Sequence, residues 1–330
     1  MFESRRGIYV EQYKPENKEV WDRFVAEGKN TSFLFFRDYM GYHADRFQDA
    51  SLLLYRGQRP VGVLPANLKN GSLVVSHEGL TYGGLVLRRD CGLRDALEIF
   101  QACLEFLEYL SIDQLLYKRI PRFYDILPDD EIDYALFLLD AQLYRRDCAL
   151  VVPLPRYLKF RKGRRSEIVK ARKSGVSILE DSSLMGFWEN VLVPRLEHRY
   201  GVSPVHTVEE ISLLRAKFPT NIHQYSAYHE NRIVAGATIY ETEWVAHAQY
   251  IGVTAEGQEL GALDYLFSWL LDLQYIDKKY FDFGISNEQG GRRINYGLLA
   301  WKESFGARSC AHDFYRIIPQ HHVKLDAALD

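Results

Sequence analysis

The sequence predicts a mixed α/β protein made of two consecutive domains with the same order of elements. The chain has 330 residues, which is long for one hydrophobic core. In its second half, strand-like and helix-like patterns follow the order β-α-α-β-β-β-α-β-α-β, and the first half repeats that order. The extended stretch "VVPLPR" contains two prolines and separates the halves. We therefore predict domains at 1–152 and 153–330, with the active site in the second.

The first half begins with the strand-like segment "GIYVEQY", which is followed by helical segments over residues 16–47. Three strand-like runs come next: "SLLLY", "RPVGVLPANL" and "SLVVS". After "YGGLVLR", residues 93–110 are predicted to form a helix because their apolar positions recur at helical spacing. The strand "DQLLYKRI" completes the series.

The second half starts with a strand at 175–180 and a helical pattern at 183–201, which Pro194 is expected to kink. A helix at 207–218 opens with Thr207 and Glu210 at the spacing of a capping box. The strands "HQYSAYH", "RIVAGATIYE" and "WVAHAQYIGVT" follow.

The remainder of the second half contains an amphipathic helix at 261–276 and the strand "YFDFGIS". A glycine-rich loop leads to a short helix that begins at the cap residue Asn295 and ends near Phe305. The last strand is "CAHDFYRII".

The two halves also share residues when a predicted strand–turn–strand segment of one is aligned with that of the other. "LYRGQRPVG" over "AYHENRIVA" matches Tyr55 with Tyr228 and Arg59 with Arg232 at one constant offset. Together with the shared element order, these matches favour a duplicated domain, although two unrelated α/β halves remain the alternative.

Composition and charge are typical of a globular protein. Hydrophobic residues make up 47% and charged residues 26% of the chain, and the net charge of −3 gives no general sign of nucleic-acid binding. The four cysteines show no metal-ligand spacing, so we predict reduced thiols and no metal site. With no signal-like or membrane-spanning apolar run, we expect a cytoplasmic protein without membrane insertion. The oligomeric state is open.

Two strands of the second half carry polar residues that could catalyse proton transfer. His247 and Gln249 alternate onto one face of their strand and Tyr250 onto the other, while Asp282 and Ser286 share a face of theirs. If the strands are neighbours, these groups line one polar wall, where His247 could act as a general base. A buried structural histidine and a loop-pinning Asp282 are the alternatives.

Lys302 lies inside the apolar side of its short helix, next to a loop rich in glycine and asparagine. A buried ammonium requires a polar partner, and such a loop supplies amide donors. We therefore predict a pocket for a phosphate or an oxyanion, with Ser286, Asn287 and Asn295 as substrate contacts. Alternatively, the lysine reaches solvent.

A basic segment precedes the second domain's first strand. Arg161, Arg165 and Arg172 share one side of a predicted helix and suit the phosphates of a nucleotide or a tRNA, although a solvated basic surface explains them equally well. His206, in a loop containing glycine and proline, is predicted as a further substrate contact.

The segments "RRSEIVKARKSGVSI" and "YFDFGIS…LLAWKESFGAR" resemble motifs of the FemAB-like branch of the GNAT superfamily, and the element order resembles the GNAT fold. The resemblance covers most of the chain and implies two tandem GNAT-like domains. It also implies transfer of an acyl or aminoacyl group to an amine, often one carried on a nucleotide-linked sugar or cell-wall precursor. In Fem-type enzymes, a lysine in a helix like that of Lys302 is associated with the reacting substrate.

The resemblance leaves the donor open between an acyl-CoA, such as acetyl-CoA, and an aminoacyl-tRNA. In "QELGAL", Gln258 and Gly261 fit the CoA-binding pattern of GNAT enzymes, but Leu263 stands where that pattern has a small residue. We expect an N-acyltransferase that acts on a small or nucleotide-linked amine. The alternative is a non-catalytic protein of the same fold that binds a nucleotide-sugar or a tRNA.

Overall fold

The computed structural model describes residues 2–330, apart from the side chains of residues 199 and 200. Contacts within the chain define two compact units. The first contains Met1–Arg146 and Ala311–Asp330, and the second contains Asp147–Cys310. This division differs from the predicted domains 1–152 and 153–330, because the last twenty residues group with the first unit.

The strands are numbered in chain order. They are β1 Phe2–Glu3, β2 Ile8–Gln12, β3 Gln48–Asp49, β4 Leu52–Arg56, β5 Arg59–Leu64, β6 Asn67–Lys69, β7 Leu73–Val75, β8 Val86–Leu87, β9 Gln114–Lys118, β10 Gln142–Pro153, β11 Ser177–Asp181, β12 Ile222–His229, β13 Arg232–Glu241, β14 Val245–Val253, β15 Tyr280–Ile285, β16 Asn287–Glu288, β17 Arg293–Ile294 and β18 Arg308–Ile317.

The α-helices are numbered in the same way. They are α1 Lys18–Glu27, α2 Arg37–Met40, α3 Leu93–Tyr109, α4 Asp130–Leu138, α5 Lys162–Lys173, α6 Met185–Phe187, α7 Val193–Tyr200, α8 Val208–Lys217, α9 Ala255–Leu260, α10 Ala262–Trp269, α11 Tyr296–Glu303 and α12 Asp326–Leu329. Turns of π-helix at Trp188–Leu192 and Leu270–Gln274 join α6 to α7 and extend α10. Within residues 2–330, no helix combines the length and apolar character that crossing a bilayer requires.

The first unit packs α3 against an antiparallel sheet of order β1-β2-β4-β5-β8. Its other strands follow the order β3-β6-β7-β9-β18, in which only β7 and β9 are parallel. The C-terminal segment belongs here for two reasons. The end of β18 pairs with β9, and the 3-10 helix Pro319–Leu325 packs against α3, where Gln101 donates a hydrogen bond to the carbonyl of His322 (3.1 Å).

The second unit is built on a sheet in which β11, β12, β13 and β14 are successively antiparallel, β15 is parallel to β14, and β10 is antiparallel to β15. Residues of α10 pack on one face of this sheet with the buried side chains of β13 and β15. Phe187 of α6 covers the other face, and it packs so closely that a Cβ at Gly236 would lie 2.4 Å from its ring. The sheet is therefore covered on both sides.

Most predicted elements are present, and the differences have local causes. The capping box of Thr207 and Glu210 forms at the start of α8, and Glu230 and Asn231 both adopt positive φ in the β12–β13 turn. The helix predicted at 261–276 has an additional helix, α9, before it, because Gly261 turns the chain in a left-handed conformation (φ 72°). Of the proline-containing stretch predicted as the domain boundary, residues 151–153 are the end of strand β10.

A buried network of charges supports the loops of the first unit. The guanidinium of Arg119 lies within 3.4 Å of carboxylate oxygens of Asp125, Asp129 and Asp133, and Lys29 pairs with Asp129 (3.4 Å). Burial raises the pKa of Asp125 to about 7 and that of Asp129 to about 6, against the opposing pull of Arg119. The folded state therefore retains protons that the unfolded chain has released.

This network predicts that the first unit loses stability as the pH rises from about 4 to about 7, because the folded carboxyls bind protons more tightly than the unfolded ones. Asp125→Asn keeps an acceptor for Arg119 and removes the titration. Urea unfolding at pH 5 and pH 8 should show a loss smaller by about 2 kcal/mol in Asp125→Asn than in the wild type. The exposed control Asp113→Asn should match the wild type, and equal losses in all three proteins would contradict the assignment.

Candidate active site

The parallel ladder between β14 and β15 is short. It pairs Val245–His247 with Tyr280–Asp282, and beyond this point the two strands continue to Val253 and Ile285 without pairing to each other. Backbone groups on the facing edges of diverging strands lack ladder partners and are open to a ligand. A cleft therefore starts where His247 and Asp282 lie side by side.

His247 and Asp282 form a hydrogen-bonded pair at the closed end of this cleft. Nδ1 of His247 lies 2.8 Å from Oδ2 of Asp282, and the other carboxylate oxygen accepts a hydrogen bond from the backbone N–H of Gly284 (2.7 Å). Asp282 is buried, whereas the His247 side chain is 14% exposed. A carboxylate can only accept, so Asp282 favours the tautomer with the proton on Nδ1, which in the neutral ring leaves the lone pair on Nε2. Gly284 permits this approach, since a Cβ there would lie 3.3 Å from the imidazole ring.

Tyr250 lies on the same face of β14 as His247, contrary to the expectation from simple alternation. Between Ala248 and Tyr250 the pairing with β13 shifts by one residue, so Gln249 is an extra residue in the strand. Ala248 faces the α10 side of the sheet, and the Tyr250 ring packs against Trp188 on the other side (4.6 Å between centroids). The bulge thereby places Tyr250 on the same face of the sheet as His247.

The predicted contact His206 is also buried on this side of the sheet. Its Nδ1 is hydrogen-bonded to the hydroxyl of Tyr250. This hydrogen bond therefore joins the loop that precedes α8 to strand β14.

Two predicted residues carry buried oxygens without a hydrogen-bond partner among the described residues. They are Oε1 of Gln249 and Oγ of Ser286, whose side chain is 3% exposed. Buried polar atoms are nearly always paired in folded proteins, so each is a candidate for contact with a substrate.

Lys302 is buried (3% exposed), which excludes the alternative in which it reaches solvent. Its ammonium donates to the backbone carbonyls of Gly284 (3.0 Å) and Ile285 (2.6 Å), at the end of β15. Burial lowers the pKa of Lys302 to about 8, and Asp282 opposes this shift. The hydrogen-bond partners of the ammonium are therefore two backbone carbonyls close to Asp282 in sequence rather than a directly bonded carboxylate.

The two asparagines of the glycine-rich loop have structural roles. Asn287 accepts from the backbone N–H of Cys148 (2.6 Å) and donates to Asp147 (2.8 Å). Asn295 caps α11 by accepting from the N–H of Leu298 (3.0 Å), as the sequence predicts, and it also faces a cavity.

That cavity has a volume of about 910 Å³ and is lined by Val253, the last residue of β14, and mainly by residues of α5, α9, α10 and α11. His247, Asp282 and Lys302 do not line it. The predicted residues Gln258, Gly261 and Asn295 do. Basic residues that the sequence analysis did not select complete its wall: Arg164, Lys170 and Arg195.

The orientation of helix α5 explains why the basic residues that line the cavity are not the arginines predicted from the sequence. Arg164, Glu167 and the buried Ala171 follow at helical spacing and define the side of α5 that faces α10. Arg161, Arg165 and Arg172 are all exposed and do not line the cavity. The seven-residue spacing of Arg164 and Ala171 is a signal for the side of α5 that faces inward. It is weak, because basic residues occur on every side of this helix.

Gly261 brings α10 close to α5. A Cβ at this position would lie 2.8 Å from the backbone oxygen of Glu167, and φ is 72°, so both contact and conformation require glycine. Leu263 lines the cavity two residues later. The residues before Gly261 form the helix α9 instead of an open glycine loop. Gln258, Gly261 and Leu263 therefore all lie in the wall of the cavity.

Comparison with known proteins identifies the fold. No protein-family model and no curated protein sequence matches the chain. Among solved structures, FemX is similar over 98% of this chain and 100% of its own, with a TM-score of 0.66 and 11% identity. The chain has the FemX fold. The predicted fold class, a mixed α/β protein of two tandem GNAT-like domains, is thus confirmed.

Two further structures share the FemX fold of this chain. L-PGS from Bacillus licheniformis has a TM-score of 0.60 and 14% identity, over 97% of this chain and 98% of its own. A conserved protein of unknown function from Bacteroides thetaiotaomicron has a TM-score of 0.57 and 8% identity, over 94% and 99%. At sequence identities this low, the structural similarity establishes only the fold. The chemistry has to be argued from the residues of the site.

The burial of Lys302 predicts a specific pH dependence of stability. Because its folded pKa of about 8 lies below the ordinary value of 10.5, the unfolded chain binds more protons between these pH values. The free energy of unfolding of the wild type, relative to Lys302→Met, should therefore rise by up to about 3 kcal/mol across this window. Urea unfolding at several pH values measures it, with the exposed Lys217→Met as control. A constant difference would contradict the burial of the ammonium.

Proposed function

We propose that the protein is an N-acyltransferase that transfers an acyl or aminoacyl group directly from its donor to a primary amine. The observation that carries the proposal is the hydrogen-bonded pair His247 and Asp282 at the point where β14 and β15 separate. His247 can act as a base, Asp282 orients it, and the two strands separate beside them. A base that a hydrogen bond holds in one orientation is suited to general-base catalysis.

His247 is the proposed general base. Asp282 holds the proton on Nδ1, which leaves Nε2 free to accept a proton from the attacking amine, directly or through one water. As the amine nitrogen forms its bond to the acyl carbon, His247 takes the amine proton. The bond between the acyl carbon and the donor sulfur or oxygen then breaks, and the donor leaves as its thiol or hydroxyl with the proton that His247 returns. No acyl-enzyme is required in this scheme, because the amine is itself the nucleophile.

Lys302 is proposed to stabilise the oxyanion that forms on the acyl carbonyl. An ammonium has three donor hydrogens, and the carbonyls of Gly284 and Ile285 use two of them. The third is available to a ligand. Because the pKa of Lys302 is about 8, the group is mostly charged at neutral pH. A fixed cation in a site shielded from water stabilises developing negative charge strongly.

The donor is proposed to occupy the cavity, with its reactive end in the cleft. Arg164, Lys170 and Arg195 line the wall together with the carboxylates of Glu167, Glu259 and Asp264. Arg164 is paired with Asp264, so Lys170 and Arg195 are the proposed contacts for the phosphates of an acyl-CoA or of an aminoacyl-tRNA. Gln258 and Gly261 favour acetyl-CoA or a longer acyl-CoA, whereas Leu263 favours the tRNA donor. Both donors are made in the cytoplasm, where we place the reaction.

The acceptor is proposed to be a small or nucleotide-linked amine. Gln249 Oε1 and Ser286 Oγ are buried oxygens that can accept N–H bonds from it. His206 and Tyr250 lie on the same side of the sheet as His247 and would bound the acceptor. Asn287 would hold the neighbouring loop in place through its bonds to Asp147 and to the backbone of Cys148.

A second candidate is a non-catalytic protein that binds a nucleotide-sugar or a tRNA. The observation that favours it is the occupation of the CoA-loop position by α9 and Leu263. A binding protein would hold its ligand without turnover, so the variants below separate the two candidates.

Asp282→Asn tests the proposed base. Asparagine keeps an acceptor for the backbone N–H of Gly284, but its amide group would donate to Nδ1 and place the imidazole proton on Nε2. The transfer rate should fall by about 100-fold or more, with donor affinity unchanged. A panel of acetyl-CoA, longer acyl-CoAs and aminoacyl-tRNA, each with amine acceptors, provides the assay. An unchanged rate in the variant would exclude the pair from catalysis.

Lys170→Gln and Lys173→Gln form a matched pair for the donor site. Both residues are exposed lysines of α5, but only Lys170 lines the cavity. Loss of a charge-assisted phosphate contact should raise the donor Kd about tenfold in Lys170→Gln and leave it unchanged in Lys173→Gln. Calorimetry with each donor measures this. Equal affinities in both variants would place the donor elsewhere.

A further inference from the structure

The outward side of α5 forms a basic surface that the proposed chemistry does not use. Residues 156–173 contain nine basic residues and one acidic residue, although the whole chain has a net charge of −3. The basic surface consists of six exposed residues: Lys159, Arg161, Lys162, Arg165, Arg172 and Lys173. Among these, Arg161 has a carboxylate partner, Glu303, at 3.4 Å. The concentration of charge is thus local and largely unneutralised.

This basic surface is separate from the donor cavity. Helical spacing places Arg161, Arg165 and Arg172 within one side of α5, with Lys162 and Lys173 next to them. The cavity is bounded by a different side, which carries Arg164, Glu167 and Lys170. A ligand in the cavity therefore leaves the basic surface free.

Exposed apolar side chains occur in the same segment of the chain. Tyr157 is 81% exposed, Leu158 is 42% exposed, and Val169, between Arg165 and Arg172 on α5, is 48% exposed. Exposed apolar groups next to clustered positive charge suit a partner that is anionic at its surface and apolar beneath it.

Specific contacts fix the backbone around Tyr157 and Leu158. The guanidinium of Arg156 stacks on the ring of Phe160 (3.7 Å), donates to the carbonyl of Leu158 (2.9 Å) and pairs with Asp272 (2.7 Å). The N–H of Arg161 donates to the carbonyl of Ser304 (2.9 Å). The segment is anchored on both sides of Tyr157 and Leu158, so their exposure is a property of the folded unit.

We propose that this surface docks the protein on an anionic lipid bilayer. Lys and Arg side chains would interact with acidic headgroups, and Tyr157 with Leu158 would enter the interfacial region, where an amphipathic ring is favoured. An RNA partner could use the charges, but it offers no apolar layer for Leu158 and Val169, and a base-stacking surface needs more than one exposed ring. The proposal is independent of the transferase chemistry.

Vesicle flotation with the full-length protein tests the proposal. Vesicles of phosphatidylcholine with about one third phosphatidylglycerol should bind the wild type at roughly 0.1 M salt, and pure phosphatidylcholine vesicles should not. Arg165→Gln/Arg172→Gln should lower the partition coefficient about 25-fold, since each charge near an acidic surface contributes about fivefold. Tyr157→Ser/Leu158→Ser should lower it about tenfold while retaining the salt dependence.

Controls with the same chemistry elsewhere are Lys14→Gln/Lys217→Gln for charge and Phe137→Ser (74% exposed in the wild type) for apolar exposure. Both should bind vesicles like the wild type, and melting temperatures confirm that every variant folds. Three results would overturn the proposal: no binding to the acidic vesicles, equal loss in the controls, or binding of an RNA duplex that depends on Arg165 and Arg172 without vesicle binding.

Discussion

The early end of the β14–β15 ladder is the constraint on which the site depends. Two parallel strands that paired along their whole length would use their facing backbone groups and leave no room for a ligand between them. Here the ladder ends at His247 and Asp282, so the proposed base and its carboxylate partner lie where the two strands separate. Lys302 then holds the diverging end of β15 through two carbonyls. Position and charge of the proposed catalytic groups follow from this one departure from regular pairing.

The packing of α10 against α5 has the same importance for the open end of the cleft. Gly261 allows the two helices to approach until only the absence of a Cβ prevents a clash with the backbone of Glu167. Arg164 pairs with Asp264 and donates to Ser304 (2.9 Å), while Trp301 donates to Asp264 (3.2 Å). These contacts hold α5, α10 and α11 around the cavity and leave the opposite side of α5 exposed. One helix therefore provides a wall of the cavity and a separate basic surface.

The sequence predicted the fold and the two strands of the site, because these depend on periodicity, turn residues and recognisable motifs. It placed Tyr250 on the wrong face, since a one-residue bulge at Gln249 leaves no signature in the alternation of polar and apolar residues. Among basic residues on α5, composition could not distinguish Arg164 from Arg165, because only the packing partner decides which side of the helix faces inward. The return of the C-terminal segment to the first unit depends on the long-range pairing of β18 with β9, which local patterns do not encode.

The tautomer of His247 tests the central claim most directly, and it can be measured before any substrate is known. Nitrogen-15 NMR of the neutral, labelled histidine distinguishes a protonated ring nitrogen from one that carries a lone pair. If Asp282 accepts from Nδ1, the proton resides on Nδ1 and Nε2 is unprotonated, and Asp282→Asn reverses this assignment. A proton found on Nε2 in the wild type would contradict the account, because that nitrogen could not then accept a proton from the amine.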